Sequence, residues 1–125
     1  MQIGVRERIR ENKKLPTRYY SNRQEKQVAK EIGGTKTKNS GATMFQKGDV
    51  EVGSLFLLEC KTHTKSSNSL TIKKEWLEKN TQEALFMGKK YNALVFNFGP
   101  NEKNYYIIDE YLMQYLLEKL KSDTV

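Results

Sequence analysis

Apolar positions along this 125-residue chain come in short periodic runs separated by polar turns. Between Asn22 and Ile32, the apolar Val28, Ala29 and Ile32 recur at helical spacing, Ser21 and Gln24 stand as a capping box, and Gly33-Gly34 supply a stop. Counting back along that helix puts Glu25 on the same inward face, where a carboxylate needs a partner or a metal. The stretch "GDVEVGSLFLLECK", Gly48 to Lys61, reads as a β-hairpin whose second arm is strongly apolar. A helix over residues 72–87 follows, with Trp76, Leu77, Ala84 and Met87 on one side. Two β-rich runs, "NALVFNFG" and "NYYII", are then separated by the turn-forming Gly99-Pro100-Asn101. A last helix opens near Asp109 and carries Leu112, Met113, Leu116, Leu117 and Leu120, a stripe expected to lie in the core. The order helix, hairpin, helix, hairpin, helix predicts an α/β domain with a small mixed central sheet flanked by helices.

Other stretches lack this periodicity. Residues 1–20 read as a basic N-terminal arm, residues 21–121 as a single domain, and residues 122–125 as a tail. The polar segment Thr62 to Ser69, "THTKSSNS", is expected to be a mobile linker that leaves His63 solvated. The segment "GTKTKNSGATMFQK" suits an irregular or edge strand that passes near phosphates. Charge sharpens this picture. The formal net charge is +7, and residues 1–24 hold seven Lys/Arg against two Glu. That imbalance favours a polyanion such as nucleic acid as partner. No apolar run approaches the roughly 20 residues of a membrane span, and the N-terminus has no signal-peptide core, so a cytoplasmic location is expected. Cys60 and His63 are the sole residues of their kinds, which excludes an internal disulfide and a His/Cys zinc cage. A metal would have to be held by carboxylates.

The charged ends of the hairpin are the candidate chemistry. Strand alternation sends Glu59 and Lys61 to one face and Cys60 to the other, where the thiol reads as a small buried hydrophobe. A three-residue loop centred on Ser54, or a bulge, puts Asp49 opposite Glu59; a tight Gly53-Ser54 turn puts it opposite Leu58 and breaks the group apart. We expect the first. Two opposed carboxylates repel by roughly 0.2–1 kcal/mol, and an oxygen-preferring cation such as Mg²⁺ or Mn²⁺ removes that repulsion. Glu25 adds a third oxygen from the helix, directly or through water. Lys61 stands one strand step beyond Glu59, where its ammonium orients a water or stabilises charge growing on a phosphate. The plainer alternative is a surface ion pair between Glu59 and Lys61, with Asp49 capping the strand.

With these residues in place, the chain resembles the PD-(D/E)XK nuclease superfamily, and within it the small Holliday junction resolvases of archaea and phages. The resemblance covers about residues 21–99. An early helical glutamate is matched by Glu25 in "SNRQEKQVAKEIGG", a Ser-Gly segment by Asn39-Ser40-Gly41, the metal-binding aspartate by Asp49 in "KGDV", and the closing (D/E)xK by "ECK", Glu59 to Lys61. Gly48 departs from the superfamily's proline. Gln82 lies on the helix where some relatives carry a glutamine, but it is turned away from the Trp76 face. The resemblance implies a restriction-endonuclease-like core, catalytic Glu25, Asp49, Glu59 and Lys61, and Mg²⁺ or Mn²⁺ held by Asp49, Glu59 and Glu25. It further implies a homodimeric endonuclease acting on branched DNA such as a four-way junction.

Phosphate contacts are expected from Arg23, Lys36, Lys38, Ser40, Lys73 and Lys74, with Arg6, Arg8, Arg10, Lys13, Lys14 and Arg18 as an electrostatic arm. Tyr19 and Tyr20 are expected to pack, with stacking on an exposed base as the alternative. Two other readings stand beside the resolvase: a restriction- or repair-type nuclease on duplex DNA, and a basic DNA-binding module without catalysis.

Overall fold

The computed structural model describes residues 15–37 and 49–124. Helix α1 spans Thr17–Ile32. It starts at Thr17, ahead of the expected Asn22, so residues 17–20 belong to the helix and Ser21 lies inside it, not at its cap. Pro16 takes the N-cap instead, with its carbonyl accepting from the Tyr19 amide at 2.9 Å. A proline there loses nothing, because the amide it lacks would have had no helical partner. The helix ends where expected: Gly33 has φ 70°, a left-handed conformation that suits glycine, and the Gly34 amide bonds the Ala29 carbonyl at 2.8 Å.

The five strands are β1 (Thr35–Lys36), β2 (Val50–Val52), β3 (Phe56–Lys61), β4 (Tyr91–Phe96) and β5 (Tyr105–Ile107). They form one sheet in chain order. β3 and β4 run parallel, and every other neighbouring pair is antiparallel. The parallel pair requires a crossover, which α2 (Lys74–Phe86) provides. Helix α1 packs on β1, β2 and β3, and α2 on β3 and β4. The result is a mixed α/β fold with a five-stranded sheet between helices.

One face of the sheet closes over α1 through Val28, Val50, Leu58, Cys60, Ala93 and Val95. Leu57 and Leu94 alternate with these residues and are fully buried on the other side. On α2, Ala84 is buried with Trp76, Leu77 and Met87 half-buried, as the pattern predicts, while Gln82 is exposed. Asn80 and Glu83 are buried on the same stripe.

Helix α3 spans Glu110–Asp123, so it runs into the expected tail. Its cap is built as the sequence suggests: the Asp109 carboxylate accepts from the Leu112 amide at 2.8 Å. Its apolar stripe is not core. Leu112 is buried, but Met113, Leu116, Leu117 and Leu120 are exposed, and among the described residues α3 makes only marginal contact with other elements. Periodicity reports that a helix has an apolar side; it does not report whether the chain itself covers that side.

The segment 62–69 is also tied down, contrary to expectation. The Thr62 hydroxyl donates to the Asn97 side chain at 2.7 Å, the Ser66 hydroxyl to Glu102 at 2.8 Å, and the Ser67 amide to the Phe98 carbonyl at 2.7 Å. Short hydroxyl side chains beside a glycine-containing turn make these bonds available. Among the described residues no helix is long and apolar enough to cross a membrane.

Candidate functional site

The hairpin pairs Val50 with Leu58, Glu51 with Leu57, and Val52 with Phe56, around a three-residue loop closed by the Leu55 amide on the Val52 carbonyl at 2.9 Å. This is the register expected from the loop centred on Ser54. At Asp49 the ladder is bulged. The Asp49 amide bonds the Leu58 carbonyl at 2.9 Å, although Val50 is the partner of Leu58, so two residues answer one. The expected pairing of Asp49 with Glu59 across the hairpin is therefore not formed, because the bulge carries Asp49 out of the ladder. The Asp49 carboxylate lies along the seam and accepts from the Cys60 amide at 2.6 Å.

That bond places a carboxylate on the middle residue of the Glu59-Cys60-Lys61 triplet. On the α2 side, Lys61 Nζ sits 3.3 Å from Glu59 Oε2 and 4.4 Å from the centre of the Trp76 ring. On the α1 side, Glu25 is buried one turn before Val28, and Lys36 Nζ from β1 lies 3.5 Å from its Oε1. Glu25 and Glu59 therefore approach from opposite faces of the sheet, with Asp49 at the seam and coupled to both.

The Asp49 charge is felt by both buried glutamates. Burial pushes the Glu25 carboxyl above the ordinary carboxylate range; the Asp49 charge adds to the rise, and Lys36 and Arg18 offset part of it. Burial likewise raises Glu59, Lys61 opposes the rise, and Asp49 adds to it. Burial drives the Cys60 thiol far up, with Asp49, Glu25 and Glu59 all contributing, so Cys60 stays a protonated core residue.

Of the four expected catalytic residues, Glu59 and Lys61 thus share one face at the end of β3, Glu25 lies on the other, and Asp49 lies on the seam between them. Among the described residues, however, no three Asp, Glu, His or Cys side chains are grouped closely enough to enclose a metal ion. Each carboxylate has a partner from the protein instead: Lys36, the Cys60 amide and Lys61. In donor chemistry they suit a hard cation, since all three offer carboxylate oxygens and the two buried ones each feel the Asp49 charge.

Of the expected DNA contacts, Arg23 donates to the Asn101 side chain in the β4–β5 turn, Lys36 is held by Glu25, Lys73 lies 5.7 Å from the Trp76 ring, and Lys74 is exposed. Lys38 and Ser40 lie outside the described residues, as do Asn39, Gly41, Gly48 and the arm residues up to Lys14. Tyr19 and Tyr20 pack edge to face at 5.2 Å, with Tyr19 still exposed.

Several participants were not anticipated. Gln24 donates to the Lys61 carbonyl at 2.8 Å and to Asn104 at 3.3 Å, fastening α1 to the end of β3. Asn97 joins that group through Asn104 at 3.2 Å and Thr62. The inward position of Gln24, one turn before Val28, was the available signal. His63 is half-buried, its Nε2 shielded and without a hydrogen-bond partner among the described residues, so it is not the solvated residue expected. No protein-family model, curated protein or solved structure matches the chain.

Proposed function

We propose that the protein is a metal-dependent DNA endonuclease that hydrolyses phosphodiester bonds, acting on branched DNA as a Holliday junction resolvase with a restriction-endonuclease-like core. The observation that carries this reading is the 2.6 Å bond from the Cys60 amide to the Asp49 carboxylate. It brings an acidic residue from the first arm of the hairpin onto the triplet of the second, with Lys61 already against Glu59. A module that only binds DNA gains nothing from burying Glu25 and Glu59 next to a third carboxylate, because each burial destabilises the fold. The positive charge of the chain supplies attraction to phosphate; the three carboxylates around β3 supply something else.

Asp49 and Glu59 would hold Mg²⁺ or Mn²⁺, with Glu25 contributing through water. The ion, when bound, polarises a phosphoryl oxygen and lowers the pKa of a coordinated water. Lys61 presents its ammonium to the negative charge that grows on the phosphate oxygens. Lys36 balances Glu25 and can turn toward a neighbouring phosphate. Lys73 and Lys74, at the start of α2, extend the phosphate-binding surface beside Lys61. A second copy of the chain, related by a two-fold axis, would set two such sites against two strands of a junction.

The test is cleavage of a labelled immobile four-way junction beside a linear duplex made from the same arms, with Mg²⁺ and with chelator. Asp49→Asn is the control of choice, since its amide oxygen can still accept from the Cys60 amide while the charge is gone. Paired symmetric nicks that need metal and fall by about 100-fold or more in Asp49→Asn are expected. Equal cutting of both substrates keeps the nuclease and removes the junction preference. Folded protein that binds DNA and cuts neither substrate leaves only the binding module.

A further inference from the structure

A catalytic lysine works only if its ammonium is held in one place, and four rotatable bonds oppose that. Glu59 holds Lys61 at 3.3 Å, but the reading given above commits the Glu59 oxygens to a cation, which weakens the ion pair when it is most needed. A second contact is independent of that exchange. The Lys61 ammonium lies 4.4 Å from the centre of the Trp76 indole, within the range of a cation–π interaction.

Trp76 is well placed for this. It sits in the first turn of α2, with its amide on the Lys73 carbonyl at 3.0 Å, and α2 packs on the strand that carries Lys61. The indole is half-buried, unlike the deeper Asn80 and Ala84 of the same stripe, so one part of it packs while the rest faces the site. Lys73 approaches the same ring at 5.7 Å, which makes the indole a gathering point for two cations at the end of β3. On the other side, the Gln24 side chain bonds the Lys61 carbonyl and fixes its backbone.

We propose that Trp76 is the positioning residue for Lys61, its π face retaining the ammonium when Glu59 turns to a metal; this rests on the nuclease reading. Packing alone predicts that any large apolar side chain will serve. Positioning through the π face predicts that only an aromatic one will.

The contact can be read without DNA. In isotope-labelled wild-type protein, ring current from Trp76 is expected to shift the Lys61 ε-methylene protons upfield of the other lysines, assigned by their loss in Lys61→Met. The shift persists in Trp76→Phe and disappears in Trp76→Leu. On junction DNA, Trp76→Leu is expected to lower kcat about tenfold with KM unchanged, and Trp76→Phe to stay within about threefold of wild type. If Trp76→Leu fails to fold, Trp76→Met, whose longer flexible side chain adapts better to the gap, takes its place in both measurements. A Trp76→Leu or Trp76→Met enzyme that loses the shift yet keeps its kcat overturns the positioning role and leaves the nuclease standing. Absence of the shift in wild type overturns the contact itself. A wild type that shows the shift but cuts no DNA overturns the nuclease reading, and the catalytic role of Trp76 goes with it.

Discussion

Glu59 sits at the end of a buried strand with Lys61 on one side and Asp49 beside it, and the balance among these neighbours sets a stability that depends on pH. Burial, the largest influence, favours the protonated form, so the folded carboxyl binds its proton more tightly than the unfolded one. Stability attributed to Glu59 is therefore greatest at low pH and falls as pH rises past the unfolded value through the raised folded one. Replacing Glu59 with Gln removes that loss. We expect Glu59→Gln to melt no lower than wild type at pH 8, with a gain of up to a few degrees that shrinks toward zero in acid below the ordinary carboxylate range, where both side chains are neutral. Thermal melts followed by circular dichroism at pH 8 and in acid decide it. A lower melting temperature at pH 8 would show that the Lys61 ion pair outweighs burial. The same substitution is expected to abolish cleavage, a trade of stability for function. At this scale the sequence was informative about identity and less so about side. It marked Glu25, Asp49, Glu59 and Lys61, because charges on apolar faces stand out. It did not reveal that Glu25 reaches the site from the Cys60 face while Glu59 and Lys61 face α2, since a helical pattern shows which side of a helix is inward and not which face of the sheet it covers.

Two adjacent glycines between α1 and β1 show how an element boundary can be legible while its reasons are not. Gly33 is needed for its left-handed φ of 70°. Gly34 is needed for space: a Cβ there would stand 2.6 Å from the Glu51 carbonyl oxygen and 3.0 Å from Val50 Cγ1. The first requirement follows from helix-stop statistics. The second depends on β2 crossing close by, a contact the sequence does not express. Gly34→Ala is expected to cost roughly 1–3 kcal/mol, as overpacking against backbone does, and to push β1 away from β2. It should also disturb the site, because the Thr37 amide bonds the Asp49 carbonyl at 3.1 Å and Lys36 reaches Glu25. Urea unfolding and cleavage assayed on one preparation test both effects; unchanged stability would mean that the β1–β2 seam yields easily. The three-residue hairpin loop, in contrast, could be argued beforehand from the two plausible loop lengths, but not that Asp49 would bond Leu58 and Cys60 and leave Glu59 unpaired across the hairpin. The anchoring of residues 62–69 was hidden, since it depends on Asn97, Phe98 and Glu102, more than thirty residues away.

At the scale of the molecule, the unresolved demand is the outer face of α3. Met113, Leu116, Leu117 and Leu120 are 47%, 40%, 41% and 61% exposed, and they recur at the three- and four-residue spacing of a helix-packing seam. A 14-residue helix that buries only Leu112 has little to hold it in place. Its last turns carry Glu118 and Asp123 beside Lys119 and Lys121, so acids and bases balance at that end. Pairing with α3 of a second copy about a two-fold axis would close the apolar seam. The two-fold arrangement is also the one that presents two sites to a junction. We therefore expect the wild type to sediment at twice the mass of one chain at micromolar concentration. Burying a leucine is worth about 1.5–3 kcal/mol, so Leu116→Glu with Leu120→Glu should weaken association by at least about 100-fold and give a monomer. Such a monomer, still folded because these side chains are exposed, is expected to keep metal-dependent nicking but to lose the pairing of nicks across the junction. Sedimentation of the wild type as a single chain at tens of micromolar would remove the α3 seam from the account while leaving the chemistry at Asp49, Glu59 and Lys61 untouched, because no residue of that site belongs to α3.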